Sequence, residues 1–183
     1  MRIVAGQAKG RRLTGPVDGT RPTSDRARES LFNSLRQWLD LEGSHVLDLY
    51  AGTGAVGLEA MSHGAASAVF VESDRRAAEV LRRNIDMVGL PGAQIVRRPV
   101  EKVVAEPAAR SADLVFLDPP YALDDATVVD VLSGLLDHGW LAPSSIIVLE
   151  RSARGAPVSW PDGIAPEQHR RYGEGVLWYG RRR

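Results

Sequence analysis

Cysteine does not occur in this sequence, which excludes disulfides, thiolate metal sites and cysteine nucleophiles. Its absence also fits a reducing compartment. The N-terminus is basic and lacks the apolar segment of a signal peptide, and no apolar run approaches the length that spans a bilayer. The four histidines are scattered without metal-ligand spacing. We therefore expect a cytoplasmic protein with no membrane contact and no bound metal.

The charge of the chain is balanced overall but unevenly distributed. The 183 residues have a formal net charge of zero and the length of a single domain with a sizeable core. Residues 1–36 hold eight basic and three acidic side chains, a net charge of +5, so the rest of the chain carries −5. Charge alone favours an ordinary solvated surface, but a basic arm on an acidic body also suggests a polyanionic partner. We expect a monomer.

Strand and helix patterns alternate along most of the chain. Apolar runs predict five strands, at residues 46–50, 68–71, 95–97, 113–117 and 145–150. Helical periodicity separates most of them, so we expect an α/β fold with a mostly parallel, doubly wound sheet. Near the C-terminus, two further strand patterns flank Gly173-Glu-Gly175 and predict an antiparallel hairpin at one edge of the sheet.

The N-terminal residues predict a small basic β-hairpin. Residues 1–6 and 11–15 resemble two short strands around a turn at residues 7–10. We expect residues 1–20 to form this extension and residues 21–183 to form the main domain.

A glycine-rich turn follows the first strand of the alternating pattern. It ends Val46-Leu-Asp-Leu-Tyr-Ala-Gly-Thr-Gly54, and its glycines let the backbone approach a ligand closely. Glu72 ends the next strand, about 20 residues further on, where an acid can accept hydrogen bonds from both hydroxyls of a ribose. This arrangement predicts the binding of an adenosine nucleoside.

Two cofactors fit this turn. Gly52-Thr-Gly-Ala-Val-Gly57 matches the G-x-G-x-x-G pattern of dinucleotide-binding proteins, so an NAD-dependent oxidoreductase remains open. Asp48 favours S-adenosylmethionine instead, because an acid just before the glycines would repel a pyrophosphate but can hold a cationic ammonium group. We therefore favour a methyltransferase over a dehydrogenase.

The sequence Asp118-Pro-Pro-Tyr121 ends the fourth predicted strand. Two prolines cannot continue a strand, so the chain turns at the carboxyl end of the sheet, where ligands bind in α/β folds. The Asp118 carboxylate and the Pro119 carbonyl can accept from an exocyclic amino group while the Tyr121 ring stacks on the base. Acceptors placed in this way stabilise the positive charge that develops on nitrogen during attack. A plain strand-ending turn is the alternative interpretation.

These motifs resemble those of class I, S-adenosylmethionine-dependent amino-methyltransferases, which have a Rossmann-like fold. Three further stretches restrict the resemblance to one family. They are the N-terminal block Arg21-Pro-Thr-Ser-Asp-Arg-Ala-Arg-Glu-Ser-Leu-Phe-Asn33, Gly57-Leu-Glu-Ala-Met-Ser-His-Gly-Ala65 and Gly139-Trp-Leu141. Together they are similar to the RsmD family, which methylates guanine N2 in bacterial 16S ribosomal RNA. Because the Asp-Pro-Pro-Tyr motif also occurs in adenine N6 enzymes, it does not itself identify the base.

The resemblance implies roles for individual residues. The methionine end of the cofactor would lie against Asp48, Tyr50, Gly52 and Gly54, and the cofactor carboxylate would be reached by Thr23 and Arg21. The target base would be held by Asp118, Pro119, Pro120 and Tyr121, with Asp118 also near the cofactor. Adenine recognition would use backbone groups near Val100, because Arg97-Arg98-Pro99 replaces the acid or amide of many relatives.

The resemblance also implies a partner, which is ribosomal RNA or a small-subunit ribonucleoprotein particle. The basic residues expected to track its phosphates are Arg2, Lys9, Arg11, Arg12, Arg21 and Arg28. Methyl transfer would be a direct in-line displacement without metal or covalent intermediate. A pure RNA-binding module with a degenerate pocket stays open beside the enzyme.

Overall fold

The described residues of the computed structural model, 1–16 and 25–183, form an α/β fold around a seven-stranded sheet. The helices are α1 Asp25–Leu35, α2 Ala55–Ser62, α3 Arg75–Val88, α4 Val100–Val104 and α5 Asp125–Asp137. The strands are β1 His45–Leu49, β2 Ser67–Val71, β3 Ala93–Val96, β4 Ala112–Leu117, β5 Leu141–Ser152, β6 Ile164–Tyr172 and β7 Gly175–Arg182. No helix within these ranges is long and apolar enough to cross a membrane.

The strand order is β3-β2-β1-β4-β5-β7-β6. The first five strands run parallel, and β7 pairs antiparallel with both β5 and β6. The predicted fold class, with its mostly parallel sheet and its C-terminal hairpin, is confirmed. The order reverses between β1 and β4, and this reversal opens a crevice at the carboxyl ends of the two strands.

The central strands are apolar because both faces of the sheet are covered. On one face, Phe70, Phe116 and Val148 pack with residues of α1, α2 and α3. On the other face, Val115 and Ile147 pack with residues of α4 and α5. The continuous apolar runs of β4 and β5 are therefore those of strands buried on both sides.

The N-terminal extension belongs to the core instead of projecting from it. Ile3, Ala8 and Leu13 are buried in the same cluster as α1 and α2. In place of two predicted strands there is a single antiparallel bridge between Arg2 and Arg12, around a turn. The predicted domain boundary at residue 20 lies outside the described residues.

A buried ion pair joins the extension to α1 and α2. The side chain of Arg28 is fully buried and that of Glu59 is 1% exposed, and Arg28 Nε lies 3.7 Å from Glu59 Oε2. The Arg28 guanidinium also donates to Asp25 and to the Arg2 carbonyl. The Glu59 carboxylate accepts from the backbone N–H groups of Val4 and Ala5 at 2.8–3.1 Å.

This burial corrects one prediction from the sequence. Arg28 is among the residues predicted to contact RNA phosphates, but its guanidinium is enclosed within the protein and bound by groups of three different segments. Helical periodicity places Arg28 beside the apolar stripe of α1 without showing that a carboxylate on α2 would face it. Arg28 is a structural cation.

We expect Glu59→Ala to lower the free energy of unfolding by about 3–5 kcal/mol, because it deprives a buried arginine and two backbone N–H groups of this acceptor. Urea denaturation measures the loss. Glu79→Ala is the matched control, since Glu79 forms an exposed ion pair with Arg75 at 3.1 Å on α3. That pair should contribute less than about 1 kcal/mol. Equal losses of unfolding free energy in the two variants would show that the buried network contributes no more than an exposed ion pair.

Candidate active site

The glycine-rich turn is built by backbone geometry that other residues cannot adopt without strain. Gly52 and Gly54 have φ values of 55° and 76°. A Cβ on Gly54 would lie 2.2 Å from Leu81 Cδ1, and one on Gly57 would lie 2.3 Å from Phe70 Cε1. The first two glycines therefore shape the turn, and the third lets α2 approach β2 closely.

Tyr50 holds the start of this turn in place. It has a φ of 57°, a left-handed conformation that is unusual for a bulky residue. Its hydroxyl donates to Glu101 Oε1 in α4 at 2.7 Å. Burial, with the neighbouring Glu101, raises the pKa of Tyr50, so it stays a donor at neutral pH. This hydrogen bond connects the end of β1 to α4, the helix that begins at Val100.

The Asp48 carboxylate lies where a pyrophosphate would need to bind. The side chain is 2% exposed, and its Oδ2 accepts from the Gly57 N–H in the first turn of α2 at 2.9 Å. Burial, and to a smaller extent the charge of Glu72, raises the pKa of Asp48 to about 7. A carboxylate that occupies this helix start disfavours the NAD interpretation, and it suits an ammonium group.

Glu72 is fixed by two backbone N–H groups. Its Oε2 accepts from Gly52 and its Oε1 from Asp74, each at 2.8 Å. Each carboxylate oxygen keeps a second lone pair for another donor. The acid predicted to hold a ribose is therefore oriented by the glycine turn itself.

Register places four carboxylates on one face of the sheet. Asp48 lies opposite Phe70 of β2 and Phe116 of β4, and Phe116 lies opposite Val148 of β5. Since side chains alternate along a strand, the residues two positions beyond these partners share that face. They are Glu72, Asp118 and Glu150.

Asp118 is influenced by two of these neighbours. Burial raises its pKa to about 8, and the charges of Glu150 and then Asp48 add to the effect. A group of neighbouring acids of this kind fits the sulfonium and ammonium groups of S-adenosylmethionine. Among the described residues, no group of three or more His, Asp or Glu side chains could hold a metal ion.

The loop after Asp118 is held in a fixed shape. Pro119 is buried, Tyr121 is 56% exposed, and the Leu123 N–H donates to the Pro120 carbonyl at 2.8 Å. Arg151 of β5 donates to the Leu123 carbonyl at 2.8 Å and to Asp125 at 2.9 Å. The tyrosine ring is thus presented at the surface beside a half-buried carboxylate.

The predicted site residues have different outcomes. The structure brings Asp48, Gly52, Gly54, Glu72 and Asp118 together at one end of the sheet. Val100 is buried in the first turn of α4, so its backbone, and not its side chain, is left for the predicted contact with the adenine. Thr23 and Arg21 lie outside the described residues.

Two charged residues of the site were not predicted from the sequence. Glu150 and Arg151 lie in β5, whose predicted end falls at residue 150 although the strand continues to Ser152. Two consecutive charged residues at the end of an apolar strand could have indicated a site. Their partners, however, are set by the pairing of β5 with β4 and β7, which the sequence does not show.

The predicted RNA-contacting residues of the extension also differ among themselves. Arg2, Lys9 and Arg12 are exposed. Arg11 is exposed too, but its guanidinium donates to the Val88 carbonyl at the end of α3. This contact attaches the extension to that helix.

Comparisons with known proteins agree on one family. The family described as Conserved hypothetical protein 95 matches residues 1–181. Ribosomal RNA small subunit methyltransferase D of Escherichia coli (strain K12) is 35% identical over 167 residues, covering 87% of this chain and 81% of that protein. The protein of the same name from Haemophilus influenzae (strain ATCC 51907 / DSM 11121 / KW20 / Rd) is 33% identical, covering 88% and 83%. The solved structure of yhhF from Escherichia coli superposes with a TM-score of 0.87 at 33% identity, covering 100% of this chain and 97% of that one.

We expect the free energy of unfolding of the cofactor-free protein to fall as the pH rises from about 4 to 8. The pKa of Asp118 rises from 3.8 to about 8 on folding, so in this window the folded chain binds a proton that the unfolded chain has released. The stabilisation is complete below pH 4 and disappears as pH passes the folded pKa. Urea unfolding at pH 5 and pH 8 measures the slope.

Asp118→Asn cannot titrate at this position, so it should flatten the slope relative to the wild type. Asp137→Asn, at an exposed position in the last turn of α5, should leave it unchanged. A slope in Asp118→Asn as steep as that of the wild type would contradict the proton on Asp118.

Proposed function

The chain belongs to the RsmD family of ribosomal RNA methyltransferases, and we propose that it transfers a methyl group from S-adenosylmethionine to the exocyclic N2 of a guanine in 16S ribosomal RNA. One observation carries the proposal: the Asp118-Pro-Pro-Tyr121 turn lies at the strand-order reversal, next to the glycine-rich turn and its acids. A cofactor site and a base site therefore share one crevice.

The cofactor is S-adenosylmethionine, which supplies an electrophilic methyl group on a cationic sulfonium. Asp48 accepts from its ammonium, and Glu72 accepts from its ribose hydroxyls with the lone pairs that the glycine turn leaves free. Gly52 and Gly54 permit the close approach of the backbone. Thr23 and Arg21 are assigned to its carboxylate by membership of the family.

The target amino group is held by acceptors that act most strongly in the transition state. The lone pair of an exocyclic nitrogen is delocalised into the base, and acceptors at both of its N–H groups draw it out of conjugation. We assign these acceptors to the Asp118 carboxylate and the Pro119 carbonyl. Both contacts strengthen as positive charge develops on nitrogen, so they favour the transition state over the ground state.

Asp118 also accounts for the proton. As the C–N bond forms and the C–S bond breaks, the bonding pair returns to sulfur and the nitrogen must lose a proton. A carboxylate that already accepts a hydrogen bond from this amino group is placed to take that proton. Asp118 must be ionised beforehand, and the cationic cofactor favours that state.

The RNA must present its base outside a helix. Asp118 is half-buried at the end of its strand, where a base stacked within a helix cannot reach it, so an unpaired or extruded nucleotide is required. The Tyr121 ring supplies a stacking surface for it. The N-terminal extension carries three exposed cations, Arg2, Lys9 and Arg12. We assign them to phosphates of a ribosomal RNA or small-subunit particle.

Single-turnover methyl transfer tests the proposal. At saturating cofactor, we expect Asp118→Ala to lower the rate by about 10²–10³-fold, as when one preorganised electrostatic partner is removed. Tyr121→Ala should weaken base capture by about 1–3 kcal/mol, and Tyr121→Phe should be mild because the ring face stacks.

Three outcomes would argue against it. Wild-type rates in Asp118→Ala would mean that the strand-ending turn is only a turn. Calorimetry that detects binding of NAD but no binding of S-adenosylhomocysteine would favour the oxidoreductase. RNA binding without methyl transfer by the wild type would favour the binding module.

We expect the double substitution Lys9→Ala, Arg12→Ala to weaken RNA binding and to reduce the slope of log affinity against log salt by about 1 for each phosphate that is no longer neutralised. Because Ile3, Ala8 and Leu13 belong to the core, substitution tests this surface better than truncation does. The control is Arg110→Ala, since Arg110 is exposed just before β4, at the opposite end of the sheet. An unchanged salt slope in the double variant would remove the extension from the RNA interface.

A further inference from the structure

Glu150 lies beside Asp118 on the side away from the cofactor acids. Leu117 of β4 and Leu149 of β5 are register partners, so Asp118 and Glu150 follow at adjacent positions. Because the sheet runs β2-β1-β4-β5, the acids occur in the order Glu72, Asp48, Asp118, Glu150. The first two fit the cofactor, and the last two lie on the side of the crevice where Tyr121 is.

The carboxylate of Glu150 and the hydroxyl of Tyr121 converge on one point at the start of β7. A Cβ on Gly175 would lie 3.0 Å from Glu150 Oε1 and 3.7 Å from Tyr121 Oη. Both groups therefore lie close to the start of the C-terminal hairpin. Glu150 is thus adjacent to the acid assigned to the base and close to the hydroxyl of its aromatic ring.

We propose that Glu150 is a specificity-determining residue, which selects guanine by accepting its N1–H while Asp118 accepts from the neighbouring N2 amino group. The inference rests on the proposed function, since it concerns the base that the same pocket methylates. Guanine presents N1–H and N2–H₂ side by side on one edge. Two adjacent carboxylates on one face of a sheet offer acceptors to both donors.

The same arrangement disfavours adenine. When the adenine amino group occupies the position near Asp118, its adjacent ring nitrogen N1 is an acceptor. That nitrogen then faces the Glu150 carboxylate, so two acceptors are brought together without a proton between them. A site built around hydrogen bonds to a polar group strongly rejects analogues that lack it. Glu150 therefore distinguishes guanine from bases that present an amino group beside an unprotonated nitrogen.

The test uses three small-subunit RNAs that differ only in the target base, which is guanine, 2-aminopurine or adenine. 2-Aminopurine keeps the N2 amino group but has an acceptor at N1. The wild type should methylate guanine fastest in single turnover. Glu150→Gln is nearly isosteric, and its amide can donate to that acceptor, so its preference for guanine over 2-aminopurine should fall by about 10–100-fold, the contribution of a charge-assisted hydrogen bond.

Two further measurements sharpen the result. Glu150→Ala should slow transfer to guanine and also lower the preference for guanine over 2-aminopurine and adenine, because it removes both the acceptor for N1–H and the repulsion between two acceptors. Calorimetry with S-adenosylhomocysteine should give wild-type affinity for Glu150→Gln, which also shows that the variant is folded. The matched control is Glu167→Gln on β6, whose carboxylate bonds Arg181 at 2.8 Å on the edge hairpin, and its base preference should equal that of the wild type.

The outcomes separate the inference from the function on which it rests. If the wild type transfers methyl to none of the three RNAs, the proposed function fails. If it methylates guanine and Glu150→Gln keeps the wild-type ratio of guanine to 2-aminopurine, the proposed function stands and the role of Glu150 is wrong. A drop in cofactor affinity in Glu150→Gln would assign the carboxylate to the cofactor and overturn the inference as well.

Discussion

Four carboxylates on one face of the sheet, at the ends of neighbouring strands, determine what this crevice can hold. The pKa of Asp48 is raised to about 7 and that of Asp118 to about 8, in both cases mainly by burial and then by the other acids. Each ionised group therefore makes ionisation of the next more difficult. A cationic ligand relieves this repulsion, whereas a pyrophosphate increases it. The same glycine pattern that is compatible with NAD becomes selective for a sulfonium cofactor through its acids.

The position of these acids depends on close packing elsewhere. Gly57 lets α2 lie directly against Phe70, and its N–H then orients the Asp48 carboxylate. Gly54 leaves room for Leu81 of α3. A larger residue at either glycine would push a helix away from the sheet, and the turn that orients Glu72 would move with it. The glycine motif is thus a packing requirement as well as a means of access for the cofactor.

Inference from the sequence succeeded where the cause was local. The apolar strands, the glycine turn and the proline pair each restrict their own backbone, so the sheet and its crevice could be anticipated. The buried pairing of Arg28 with Glu59 could not, because the two residues and their other partners lie on different segments. Glu150 and Arg151 acquire their roles through the register of β5 with β4, which no short stretch encodes. Helix α4, with five residues, is too short to show a period.

The N-terminal extension and the cofactor turn are physically linked, although they are far apart in the sequence. Asn84 of α3 is fully buried, and its side chain accepts from the Thr14 N–H at 2.8 Å and donates to the carbonyls of Thr14 and Thr53. Thr53 lies within the glycine-rich turn, and Thr14 lies in the extension that carries the exposed cations. A shift of either segment would remove a hydrogen-bond partner from the buried Asn84 amide, which is costly. The extension that we propose to contact RNA and the turn that we propose to hold the cofactor therefore share one support, the Asn84 side chain.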